Sequence, residues 1–217
     1  YLLIVADGMG GHRAGEVASS MVVTHLGKRF NDLVTVGTKY DATNWLKDNI
    51  SEINHHIVEY ASNNPESKGM GTTVVVALLT HDFLLYANVG DSSGFAMKNG
   101  HLLKVTKDHT LVQLLVQAGD LTEEEAKYHP KKNVLMKALG GEEDVVPDIY
   151  EVDMSFDAIL LSSDGLTNML SNEAIEKVLN DPELSVEDKV VKLIRKCNAR
   201  GGTDNISVAY LVKESGE

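Results

Sequence analysis

Four aspartates in this sequence share one local setting. Asp7 stands in Val5-Ala6-Asp7-Gly8-Met9-Gly10-Gly11, and Asp91 in Val89-Gly90-Asp91-Ser92. Asp164 stands in Leu161-Ser162-Ser163-Asp164-Gly165, and Asp204 in Gly201-Gly202-Thr203-Asp204-Asn205. Each lies at the edge of a strand-like run, beside Gly or Asn. Glycine there removes side-chain bulk and lets backbone approach a ligand closely. One Asp-Gly after a strand is ordinarily a turn. Four carboxylates gathered at one end of a sandwich would repel one another strongly unless a cation neutralised them. An all-oxygen set selects a hard ion, Mg²⁺ or Mn²⁺, with Ca²⁺ as the third candidate. Zinc is disfavoured because no His or Cys spacing supplies its ligands. His55 and His56 are adjacent on one helix and point in different directions, so they read as helix polar residues.

Rival chemistries fail on spacing. A dinucleotide loop would need glycine where Arg13 stands, and Asp7 at the strand tip would repel a pyrophosphate. Neither a phosphate-binding loop ending in Gly-Lys-Ser/Thr nor a Gly-x-Ser-x-Gly elbow is present. With 20 Lys+Arg against 32 Asp+Glu, the net charge of -12 argues against a nucleic-acid surface. The single Cys197 excludes a disulfide framework and fits a reducing compartment. It falls on an apolar helix face and reads as structural. No apolar run approaches the ~20 residues of a membrane span, and no stretch resembles a signal peptide.

The elements that must position these aspartates follow from periodicity. Strands are expected at 1–6, 72–79, 83–89, 93–98, 101–106, 158–162 and 206–212. The run Thr72 to Leu79 is apolar or β-branched nearly throughout, as in a strand buried on both faces. Asn99-Gly100 between two strand-like runs predicts a hairpin, and 72–106 reads as one antiparallel meander. Leu46, Ile50, Ile53, Ile57 and Tyr60 mark one face of a helix over 42–62. Further helices are expected at 16–30 and from Val186 to Cys197, the latter opened by Ser185 and Asp188. Thr122 and Glu125 form a capping box for a short helix. The order is α+β with a largely antiparallel sheet, in a single domain spanning 1–217.

Seven segments carry a resemblance. VADGMGGHRAGEVAS (5–19), KGMGTTVVVALL (68–79), YANVGDSS (86–93), VTKDHTLV (105–112), HPKKNVL (129–135), LLSSDGLTNML (160–170) and GGTDNISV (201–208) occur in this order. Together they resemble the metal-dependent Ser/Thr protein phosphatases of type 2C, in their compact bacterial form. The resemblance runs from Tyr1 to about Val212. It implies a central β-sandwich of two antiparallel sheets flanked by helix pairs, in four layers, α/β/β/α. It also implies that the chain starts one strand late. The family's opening segment, with an Arg for substrate phosphate and an acidic residue for the second metal, does not match here.

The resemblance assigns Asp7 as the carboxylate bridging two metals and Gly8 as a carbonyl ligand, directly or through water. Asp164 and Asp204 complete the first metal's shell, and Asp91 with Asp164 matches the pair that holds a third, weaker metal. The implied cofactor is Mn²⁺ or Mg²⁺, two in the core site. Residues 110–145 match a flap beside it. The implied reaction is hydrolysis of phosphoserine and phosphothreonine by a metal-activated water, without a phosphoenzyme. Ser92, Ser162 and Ser163 then need not be nucleophiles.

Two positions depart from the family. Ser93 replaces an Arg common in bacterial members, and Met9 stands where animal members carry the protonating His. His12 nearby is the candidate general acid; a helix-start residue is its plain reading. Arg13 reads as helix surface rather than as a phosphate contact. HRAGEVAS and SDGLTNML are similar to members from low-GC Gram-positive bacteria, where such enzymes oppose membrane Ser/Thr kinases. The implied partners are phosphorylated proteins and a cognate kinase with its substrates, with no nucleic acid and no membrane span. A cytoplasmic monomer is expected. The alternative is a catalytically weak interaction module that keeps the fold, motivated by Ser93 and the unmatched opening segment.

Overall fold

The computed structural model of the chain describes residues 1–10 and 14–213. Strand β1 (Leu2–Val5) leads to a two-residue strand β2 (Gly8–Met9), then helices α1 (Ala14–Asn31) and α2 (Lys39–Asn63). Strands β3 (Gly71–Thr72), β4 (Val74–Leu79), β5 (Leu84–Val89), β6 (Ser93–Lys98) and β7 (His101–Lys104) follow. Helices α3 (Leu111–Ala118) and α4 (Glu123–Tyr128) come next, then β8 (Asp148–Val152) and β9 (Ala158–Ser162). The chain closes with α5 (Asp164–Thr167), α6 (Asn172–Leu179), α7 (Val186–Ala199) and β10 (Val208–Val212).

Two four-stranded antiparallel sheets form the centre, in the orders β1-β4-β5-β8 and β10-β9-β6-β7. Side-chain alternation sorts the layers. Val74, Val76 and Leu78 of β4 face α1 and α2, packing with Leu26, Leu46, Ile50 and Ile57. Val75 and Ala77 face the other way, into the space between the sheets, with Tyr86, Ile159 and Leu161. On the far side Phe95, Met97 and Leu160 pack against Ile175, Leu193 and Cys197 of α6 and α7. This is the α/β/β/α layering expected of the fold, and it explains the unbroken apolar run of β4: both of its faces are covered. Tyr86 ties the sheets together, its buried hydroxyl donating to the Phe95 carbonyl at 2.8 Å.

The local signals hold at several points. The apolar stripe of α2 is buried from Leu46 to Ile57, while Tyr60 is exposed. Thr38 and Asp41 cap that helix reciprocally, and Thr122 and Glu125 do the same for α4. Ser185 accepts from the Asp188 amide, but the return bond to the cap backbone is absent, so this is a plain cap. Asn99 and Gly100 both take positive φ, 52° and 78°, as a two-residue hairpin requires.

One expectation needs correction. The 72–106 meander is not one sheet: β4 pairs β5 in the first sheet, while β6 pairs β7 and β9 in the second. The chain changes layer at Gly90, Asp91 and Ser92. Strand β8, unanticipated from sequence, fills the place beside β5.

No helix among the described residues is long and apolar enough to cross a membrane.

Candidate metal centre

The crossover that splits the meander is also what presents Asp91. Gly90 sits at φ 107°, a conformation L side chains rarely adopt, and a Cβ there would lie 2.6 Å from the Thr73 methyl. Asp91 leaves this corner at one end of the sandwich. Asp7 reaches the same end from β1, and its backbone is held by the start of β4. Its amide donates to Thr73 Oγ1 at 3.1 Å, and its carbonyl accepts from the Thr73 amide and the Thr72 hydroxyl, each at 2.9 Å. Thr73 Oγ1 in turn meets Ser92 Oγ at 2.7 Å, so the Asp7 and Asp91 segments share a buried link.

Asp164 and Asp204 arrive together for a steric reason. A Cβ on Gly165 would lie 2.2 Å from the Asn205 carbonyl oxygen, so only glycine lets α5 and the 201–205 loop pack this closely. Ser163 completes the latch: its hydroxyl donates to the Asn205 carbonyl at 3.2 Å and accepts from the Ser207 amide at 3.1 Å. Asn168 Nδ2 donates to Asp164 Oδ2 at 2.9 Å and fixes that carboxylate. Ser92 and Ser163 thus serve as loop fasteners.

The carboxylates feel one another. Burial and the charges of Asp164 and Asp204 push Asp7 up to about 6, and Asp7 and Asp164 stand close enough for a shared proton to add to this. Burial, with Asp164 and Asp108 beside it, pushes Asp91 up to about 7. Asp164 is raised by burial and by Asp204. All four aspartates therefore belong to one electrostatic cluster. Gly8 lies beside it, exposed and paired with Thr72 between the small strands β2 and β3. His12 and Arg13 lie outside the described residues.

Asp108 is a fifth member that sequence reasoning did not single out, although it stands in the matched segment VTKDHTLV. Its charge acts on both Asp91 and Asp164, and Lys104 Nζ meets its two oxygens at 2.7 and 2.8 Å. Asp91, Asp108 and Asp164 line a cleft of about 590 Å³ together with Thr110, Ala126, Lys132 and Asn172.

The donor set fits hard divalent ions. It is all oxygen, its half-buried Asp7, Asp91 and Asp164 are raised by burial and by neighbouring carboxylates, and Lys104 is spent on Asp108. Such a set suits Mg²⁺ and Mn²⁺, which take oxygen ligands and keep several waters.

Comparison with known proteins agrees with the geometry. The family model described as Protein phosphatase 2C matches residues 1–206. The chain is 42% identical over 208 residues to the Serine/threonine phosphatase stp of Listeria welshimeri, covering 95% of this chain and 82% of that protein. It superposes on the serine/threonine phosphatase of S. agalactiae with a TM-score of 0.91 and 41% identity, covering 98% of this chain and 87% of the other. The catalytic domain of serine threonine protein phosphatase PstP, solved in complex with 2 manganese ions, gives a TM-score of 0.80 at 36% identity, covering 95% and 85%.

Proposed function

The chain belongs to the protein phosphatase 2C family, and on that premise we propose that its carboxylate cluster holds the divalent ions with which it dephosphorylates proteins. It is a Ser/Thr protein phosphatase, and its substrates are phosphoproteins. The interaction-module alternative is not favoured, since relatives sharing 38–42% identity are named phosphatases. The observation that carries the reading is the convergence of Asp7, Asp91, Asp164 and Asp204 from four separate stretches of chain, with the carboxyls of Asp7, Asp91 and Asp164 raised by burial and by neighbouring carboxylates.

We assign Asp7, with the Gly8 carbonyl beside it, as the carboxylate that would serve both core ions; Asp164 and Asp204 would complete the hold on the first, and Asp91 with Asp164 would hold a third, weaker one. Mn²⁺ or Mg²⁺ held there would supply an activated water as the nucleophile and would offset charge on the phosphoryl oxygens. The chain's own part is placement. Thr72 and Thr73 fix Asp7, Asn168 fixes Asp164, and the Gly165–Asn205 contact sets the spacing of Asp164 to Asp204. His12 is the proposed general acid for the leaving oxygen. The cleft beside Asp91 and Asp108 receives the polypeptide, with residues 110–145 as its flap. We assign residues 1–217 to one catalytic domain, acting as a monomer in the cytoplasm against a cognate Ser/Thr kinase.

The test is phosphate release from a phosphothreonine peptide. Mn²⁺ stimulates it, while EDTA and Asp164→Asn abolish it. Activity unchanged by chelation contradicts the reading.

A further inference from the structure

We propose that His109 is a positioning residue that holds the Gly90 corner and so aims Asp91 into the site. The proposal rests on the assignment of Asp91 to the weaker ion. The corner needs an outside partner because the sheet ends there: β4 pairs β5 as far as Val89, and β8 pairs β5 as far as Asn88. His109 supplies it on both sides of the same residue. The Gly90 amide donates to His109 Nδ1 at 3.1 Å, and the His109 amide donates to the Gly90 carbonyl at 2.9 Å. Asn88 Nδ2 adds a third bond, to the Gly90 carbonyl at 3.2 Å.

An accepting Nδ1 fixes the tautomer, leaving the ring proton on Nε2. Nε2 is buried and faces Asp148 Oδ2 at 3.2 Å, off the line of a good hydrogen bond. Asp148 is on β8 and also meets Lys137 Nζ at 3.3 Å. Burial would raise its carboxyl, but the His109 ring and the Lys137 ammonium hold it below its ordinary value. The His109 carbonyl accepts from the Met136 amide at 2.8 Å. One residue therefore joins the Asp91 corner, strand β8 and the far stem of the 110–145 segment. Supporting contacts of this kind around a metal ligand typically carry about 10–100-fold in affinity.

Two variants of the full chain test this by Mn²⁺ calorimetry. Asp91→Asn first identifies the binding step that depends on Asp91. His109→Leu removes the acceptor, and weakens that step at least about tenfold while leaving the tighter steps in place. His109→Asn offers an amide oxygen near the place of Nδ1, and restores the step to within about threefold. Ring ¹⁵N shifts of the metal-free protein, read on the neutral imidazole, show the ring proton of His109 on Nε2. A folded His109→Leu with every step unchanged, a failed rescue by His109→Asn, or a proton on Nδ1 overturns the proposal. If His109→Leu does not fold, the tautomer and the Asn variant decide it. A wild-type chain that binds no Mn²⁺ instead overturns the metal assignment beneath it.

Discussion

Gly165 and Asn205 are packed so closely that a Cβ on the glycine would lie 2.2 Å from the asparagine carbonyl oxygen. The contact is backbone against backbone position, so no side chain can swing away to relieve it. It sets how near Asp164 comes to Asp204, and so, on the proposed assignment, how well the pair would share an ion.

Gly165→Ala therefore separates the two loops. Overpacking of this kind costs about 1–3 kcal/mol, and Mn²⁺ affinity measured by calorimetry falls at least about tenfold. Gly27, inside α1 with nothing within 4 Å of its would-be Cβ, is the control. Gly27→Ala leaves metal binding unchanged and raises stability by roughly 1 kcal/mol, the gain of a helix-interior alanine over glycine.

The raised carboxyls make stability depend on pH and metal together. A carboxyl raised in the folded chain prefers its protonated form there. Its contribution is full below its unfolded value of 3.8 and is lost as pH climbs through about 6 for Asp7 and about 7 for Asp91. Divalent ions reverse the loss by pairing with the ionised forms. Thermal unfolding should show little Mn²⁺ stabilisation at pH 5. At pH 8 the shift is roughly 5–10 °C with Mn²⁺ at a hundred times its Kd, from ~2.7 kcal/mol of linkage.

Asn54 fastens the far end of the 110–145 segment to α2. Fully buried, it donates to the Glu142 and Glu143 carbonyls at 3.0 and 2.8 Å, and accepts from the Gly140 amide at 2.8 Å. Asn54→Leu keeps the branched shape and strands those backbone groups. The expected loss is about 1–3 kcal/mol in urea denaturation, with faster hydrogen exchange at the Gly140 amide.

Much of this was legible in the residues themselves. Asn99-Gly100, the Thr122–Glu125 cap and the α2 stripe are local signals, and each formed as spacing dictates. The four aspartates were readable because glycine or asparagine flanks each one. Strand β8 was not: Asp148 to Val152 is five residues of weak alternation after Pro147, and it becomes a strand through its pairing with β5. The layer change at Gly90 was hidden because a corner and a hairpin leave the same glycine signature. Asp108 and His109 lack glycine neighbours altogether. Asp108 pairs with Lys104 only four positions away, but the partners of His109, Gly90 and Asp148, lie 19 and 39 positions away and are brought close by the sandwich.

The most direct test of the account is where the ions sit. Anomalous diffraction at the manganese edge from crystals grown with Mn²⁺ should place two strong peaks among Asp7, Asp164 and Asp204. A third, weaker peak should lie between Asp91 and Asp164. Peaks elsewhere, with these carboxylates unliganded, would contradict it.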